Sequence, residues 1–209
     1  MIALQEYLQD PCGTLSIPFW KWMNMTIPPQ MKIVHHRDFS AKEWEEYVDE
    51  PYFRLYHPLT CIPTAKPANH TFRTAANTDF SIIVDIINAS YPDISITEER
   101  LRNLTTTKVY APELWIIAED LETGIPAGCA IADLDREAGE GILEWVQVFP
   151  EYRRQGIGKM LVMELLQRMQ KRAKFATVSG RCHNDTKPEM LYRSCGFQGN
   201  DIWHILHKK

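Results

Sequence analysis

The stretch Val146-Gln-Val-Phe-Pro150-Glu-Tyr-Arg-Arg154-Gln-Gly156-Ile-Gly158-Lys159 governs how the rest of the chain is read. An apolar strand ends at Pro150, a basic turn follows, and two glycines open an amphipathic segment. In that segment Leu161, Leu165 and Met169, with Val162 and Leu166, form one stripe at helical spacing, which predicts a helix over 158–174. Residues without a Cβ let a ligand approach the backbone closely. The first amides of a helix have no partner within it, and the dipole is positive there, so the start of this helix is a candidate anion site. Between residues 153 and 174 there are seven Lys/Arg and one acidic residue, Glu164. That local excess suggests a polyphosphate ligand. A P-loop is excluded, because no Gly-x-x-x-x-Gly-Lys-Ser/Thr occurs. A dinucleotide fingerprint is excluded, because its third glycine is missing.

Working outward, strands and helices mix. Strands are expected over 71–75, 114–119, 127–133, 141–149, 175–180 and 202–207, with a hairpin through Asp135–Gly139. Asp79 is placed to cap a helix carrying Ile82, Ile83, Ile86 and Ile87, with Pro92 after it. Ser95 or Thr97 is placed to cap another, reaching about residue 107. A short helix over 186–195 should close at Gly196. The hairpin argues for an α/β fold whose sheet is mixed rather than purely parallel.

Eight of the 13 prolines, but only one glycine, lie in residues 1–70. The segment Pro63-Thr-Ala-Lys-Pro67 reads as a linker, dividing an N-terminal aromatic- and proline-rich extension (1–66) from a main domain (67–209). Within the extension we expect a short helix over 17–24, a strand over 31–35 and a helix over 41–49. The last is read from the capping-box pattern Ser40-Ala-Lys-Glu43 and stopped by Pro51. The extension is short and broken by proline, so it is expected to pack on the main domain. Trp20 and Trp22 read as core ahead of an acceptor pocket.

The 209 residues carry a formal net charge of −4 and are 44% hydrophobic, an ordinary globular composition. Without a global basic excess, a nucleic-acid partner is not expected. No run of 18 apolar residues appears, and the first residues lack a basic stretch followed by an apolar one. Neither a membrane span nor a secretory leader is therefore expected. Cys12, Cys61, Cys129, Cys182 and Cys195 are odd in number and widely spaced, which reads as reduced thiols in a cytoplasmic protein.

The turn Arg153-Arg-Gln-Gly156-Ile-Gly158 resembles the Arg/Gln-x-x-Gly-x-Gly/Ala motif of the GNAT superfamily of acyl-CoA-dependent N-acyltransferases. Leu191-Tyr192-Arg-Ser-Cys-Gly196-Phe197 is similar to that family's Leu-Tyr-x-x-x-Gly-Phe, and the two motifs stand in the family's order. The resemblance covers about residues 70–209. It implies an α/β fold of GNAT type: a mixed, largely antiparallel central sheet flanked by helices, here with the N-terminal extension. It also implies acetyl-CoA as cosubstrate, no metal, and a primary amine on a small molecule or peptide as acceptor. Transfer would be direct, in a ternary complex.

Residue by residue, the resemblance places Val146, Gln147 and Val148 against the pantetheine arm. Arg153, Arg154, Gln155, Gly156, Ile157, Gly158 and Lys159 fall at the CoA pyrophosphate. Tyr192 falls on a tyrosine that protonates the departing thiolate. Glu144 falls where relatives carry an acidic residue near the amine, as base directly or through an ordered water. Asn184 falls on a CoA-contacting asparagine, although the usual spacing to the tyrosine would select Asp185, and Pro188 replaces a small residue. For either residue, capping of the following helix is the plainer alternative.

Other groups read as structural. Cys182 and Cys195 fit buried thiols better than nucleophiles. His35-His36 and His204-x-x-His207 lack the ligand count of a metal site. His183 could touch substrate at the edge of the site. Two rivals to the enzyme remain on sequence alone: a non-catalytic acyl-CoA sensor, and an interaction role in which the aromatic N-terminal region is a partner-binding or homodimer surface.

Overall fold

The computed structural model describes residues 2–63, 69–90 and 95–209. Most of the expected linker Pro63–Pro67, and the helix stop at Pro92, lie outside them. Three short helices come first: α1 (Leu4–Gln9), α2 (Pro11–Thr14) and α3 (Phe19–Asn24). Strands β1 (Met31–His35), β2 (Tyr47–His57) and β3 (His70–Thr74) follow. Helices α4 (Phe80–Asn88) and α5 (Glu98–Leu104) precede strands β4 (Trp115–Asp120), β5 (Pro126–Asp135) and β6 (Glu140–Val148). The chain closes with α6 (Ile157–Met169), β7 (Phe175–Arg181), α7 (Pro188–Ser194) and β8 (Gln198–Lys208). The class is the expected one: α/β, with largely antiparallel strand pairing and flanking helices. The residues form two compact units, 58–176 and 1–57 with 177–209.

In the first of these units β3, β4, β5 and β6 form an antiparallel meander. Side chains alternate between its faces. Trp115, Ile117, Cys129 and Ile131 point one way and pack with Phe80, Ile83, Ile86 and Ile87 of α4 and Leu101 of α5. The other face is small: a Cβ on Gly128 would stand 3.3 Å from Leu161, and one on Gly141 would stand 2.5 Å from Met169 Sδ. Those glycines let α6 lie close over β5 and β6 with its stripe of Leu161, Val162, Leu165, Leu166 and Met169 fully buried. Thr97 caps α5 by accepting from the Arg100 amide at 3.2 Å, as its position suggested. Asp79 does not cap α4 with its side chain. Its carboxylate instead binds the Ala76 amide at 2.7 Å and both terminal nitrogens of Arg73 at 2.6 and 2.8 Å. Arg73 and these bonds hold Asp79 below the usual carboxylate range.

In the other unit β8 pairs antiparallel with both β1 and β2, and β7 lies on the far side of β2. The expected helix over 41–49 is absent. Residues 41–46 make turns, and Tyr47 already begins β2. The run Tyr47, Val48, Tyr52, Phe53 favours a pleated strand, and pairing with β8 overrides a capping pattern backed by little helical length. Pro51 sits inside this strand rather than stopping a helix. Its carbonyl accepts from the amide of Cys182, one residue past β7, so its missing N–H falls where that ladder ends. Arg54, 1% exposed, donates to Pro11 O, Ser179 Oγ and the Tyr7 hydroxyl, and Trp203 Nε1 donates to Cys12 O at 2.7 Å. Buried polar groups of this kind are tolerated only when bonded, and these bonds fasten α1 and α2 over β2 and β8.

Candidate active site

The turn after β6 is built by its own backbone. Phe149 is held by Ala127 O at 3.0 Å, and a 3-10 turn over Pro150–Tyr152 follows. Arg153 then folds back, its Nε donating to Val148 O at 3.1 Å, which ties the end of the strand to the start of the turn. Arg154 has φ +65° and Gly156 φ +83°, both left-handed. A Cβ at Gly156 would meet nothing within 4 Å. The glycine is therefore there for its backbone conformation and for open space above it, not to avoid a neighbouring side chain. Gly156 is the N-cap of the 13-residue α6, and no side chain caps that helix. Left-handed positions in a turn gather N–H groups into concavities that bind anions, and the helix dipole adds to them. The place suits a pyrophosphate.

The basic excess counted along 153–174 is partly spent on the protein itself. Arg168 bonds Glu164, Thr74 Oγ1 and Glu113 O, and Arg172 pairs with Glu113 at 2.8 Å. With Arg153 turned inward, Arg154 is the exposed arginine of the turn itself.

Upstream, the pairing of β6 with β5 slips by one residue. Ile131 faces Trp145 and Ala132 faces Leu143, so Glu144 is the extra residue of a β-bulge. Bulges bend a strand, leave a residue outside the ladder and re-aim its side chain. The half-buried Glu144 thus stands where the strand departs from regularity, just before Val146, Gln147 and Val148. Gly128 lies against this segment, where a Cβ would come 2.7 Å from Gln147 O.

These residues, from Glu144 to Lys159, share one compact unit. Asn184 and Tyr192 belong to the other. Tyr192 is buried on α7, its ring against Phe53 and Phe197. Gly196, at φ +98°, closes that helix as anticipated, and the Phe197 amide returns to Tyr192 O. Asn184 accepts from the Thr186 amide at 2.9 Å and its hydroxyl at 2.7 Å. It shapes the turn before α7, but the N-cap is Lys187, with φ +50° and no side-chain bond, so neither Asn184 nor Asp185 caps the helix. His183 is exposed.

Burial pushes the Cys129 thiol up to about 12 and also raises that of the half-buried Cys182. No group of three or more potential metal ligands occurs among the described residues. The tryptophans of α3 are not core: that helix has no buried residue, and Trp22 lines a cleft of about 330 Å³ with Met25, Thr26 and Ile27. No helix among the described residues is long and apolar enough to cross a membrane.

What the sequence did not disclose is the bulge at Glu144, the inward turn of Arg153 and the left-handed Arg154. The only sequence signal near them was the spacing of Pro150, Gly156 and Gly158.

The GNAT acetyltransferase domain family matches residues 111–199. No curated protein matches the sequence. Among solved structures, a GCN5-related N-acetyltransferase from Sphaerobacter thermophilus is similar with a TM-score of 0.73 at 21% identity, over 90% of this chain and 63% of its own. The chain thus spans under two thirds of that relative's length. A NatC complex bound to Gag peptide and CoA is similar at 0.54 and 21% identity, over 68% of this chain and 99% of its own. The ribosomal-protein-S18-alanine N-acetyltransferase from Escherichia coli is similar at 0.53 and 21% identity, over 66% and 91%.

Proposed function

We propose, from the premise that this chain carries a GNAT acetyltransferase domain, that it transfers an acetyl group from acetyl-CoA to a primary amine by direct attack in a ternary complex. The observation that carries this reading is the turn 153–159, with its two left-handed residues and an uncapped helix start. Backbone amides of Arg154 to Lys159 would hold the pyrophosphate. Val146 and Gln147 would face the pantetheine arm, with the Val148 carbonyl already engaged by Arg153. A neighbour solved with CoA bound adds support.

Little chemistry is then required of the side chains. An ammonium must lose a proton before it attacks, and Glu144, directly or through water, is the acceptor in this scheme. CoA leaves as a thiolate, whose pKa is about 8.5 by analogy with cysteine. The Tyr192 hydroxyl is the donor to it, and Asn184 a contact to CoA. Holding amine and thioester together supplies most of the acceleration. The acceptor is an amine on a small molecule or a peptide. Fold alone does not transfer that choice. The site is proposed to work without metal, in the cytoplasm, with residues 1–66 as an N-terminal extension of the catalytic domain.

The test is acetyl-CoA-dependent thiol release over a panel of amines, paired with calorimetry of acetyl-CoA alone. Release with at least one amine supports the enzyme. Acetyl-CoA binding without release across small and peptide amines would make the chain an acyl-CoA sensor.

A further inference from the structure

The consecutive histidines His35 and His36 engage opposite faces of β8. Strand alternation puts Trp203 and His204 on different sides, and each histidine meets one of them. His35, 7% exposed, stands edge-on to Trp203 with ring centroids 4.8 Å apart. Its Nδ1 accepts from the Arg37 amide at 3.2 Å and from Arg37 Nε at 3.1 Å. With two donors facing it, Nδ1 carries no hydrogen, so Nε2 carries it and donates to Asp201 Oδ1 at 3.1 Å. On the other face His36 Nδ1 and His204 Nε2 lie 3.0 Å apart, and His204 Nδ1 reaches both oxygens of Asp49 at 3.0 and 2.9 Å. The Asp49 carboxylate takes the Nδ1 hydrogen, so one further hydrogen serves the two facing nitrogens. Phe39 stacks on His204 at 3.6 Å.

We propose that His35 and His36 form an acid-released clamp that holds the turn His36–Asp38, and through it α2, onto β8. Both halves need an imidazole nitrogen without a proton. A second proton on His35 would set its N–H against both Arg37 donors. On the other face the pair accepts one proton without loss, because a charged His204 still donates to a neutral His36 and pairs with Asp49. A further proton on His36 sets two N–H groups against each other.

The charged surroundings divide the two halves. Asp201 on β8 faces His35, and Asp49 on β2 faces His204. Arg37, on the turn, donates to His35 from two nitrogens. Asp38, also on the turn, bonds neither ring, and Asp10 at the start of α2 is occupied by the Gly13 amide. The other face opens only on its second proton, whereas the His35 half opens on its first. Its loss frees the guanidinium whose other nitrogen donates to Gly13 O at 3.1 Å, the clamp's link to α2.

Acid release has a sign and a slope. An opening linked to the uptake of one proton grows about tenfold for each unit by which the pH falls. The test is amide hydrogen exchange of the full chain from pH 8 to pH 5, corrected for the intrinsic rate. Amides 12–15 and 37–39 should lose protection by about tenfold per unit at the acid end, while β4 and β5 keep theirs. His35→Gln keeps an acceptor for Arg37 but does not titrate there, so it should remain folded and flatten the response of residues 12–15. An unchanged profile in the unaltered chain, or an undiminished acid response in His35→Gln, would overturn the clamp. Should His35→Gln fail to fold, Arg37→Lys, which removes the Nε donor, should open α2 already at pH 8. Protection equal to the unaltered chain would count against the proposal.

Discussion

At the scale of single residues, Gly156 and Tyr192 separate cofactor binding from chemistry. Gly156 has a left-handed backbone and open space around its missing Cβ. Gly156→Ala should therefore cost about 1–2 kcal/mol for the left-handed conformation alone, read as a fall in unfolding midpoint. Gly156→Asp adds a negative charge beside the proposed pyrophosphate position. Acetyl-CoA affinity should then fall much further than stability does, by calorimetry against thermal unfolding. Tyr192→Phe keeps the ring against Phe53 and Phe197 and removes only the hydroxyl. If the hydroxyl serves the leaving thiolate, turnover should drop by roughly 10²–10⁴ with acetyl-CoA binding little changed. Full turnover in the variant would return Tyr192 to a packing role. Thiol chemistry offers a third check. Cys129, buried and pushed up to about 12, should resist alkylation in the native state at pH 8, whereas the exposed Cys61 should label.

At the scale of elements, the close approach of α6 to the meander is the feature most exposed to a single substitution. Gly128→Val would force atoms into Gln147 O and Leu161. Overpacking of this kind is worth typically 1–3 kcal/mol. Because Gln147 belongs to the segment assigned to the pantetheine arm, a rise in the apparent acetyl-CoA KM should accompany the loss of stability. A fall in stability alone would place Gly128 in packing only. Which elements were legible follows from which forces act locally. The stripe of α6, the cap at Thr97 and the stop at Gly196 are written within a few residues, and they stand where the sequence put them. The bulge at Glu144 was not legible, because it is a register relation between two strands. The helix expected at 41–49 failed for the same reason: β2 is set by its partner β8, far away in sequence.

At the scale of the whole molecule, the chain's first 57 residues and its last 33 share one compact unit, with β2 between β8 and β7. The sequence suggested an aromatic extension packed on the main domain, and gave no sign that Tyr47–His57 pairs as a strand with β8. Deleting residues 1–57 should strip β8 of both its antiparallel partners and leave the remainder insoluble or molten, as followed by near-ultraviolet circular dichroism and size exclusion. A well-folded 58–209 fragment would contradict this account of the fold. The acceptor is the least legible property, since the patterns at 153–159 and 191–197 favour no amine over another. The most direct test of the central claim is calorimetric titration of acetyl-CoA into the intact chain beside its Gly156→Asp variant. The account predicts one saturable site in the former and its loss in a folded variant. Equal binding by the two would contradict it.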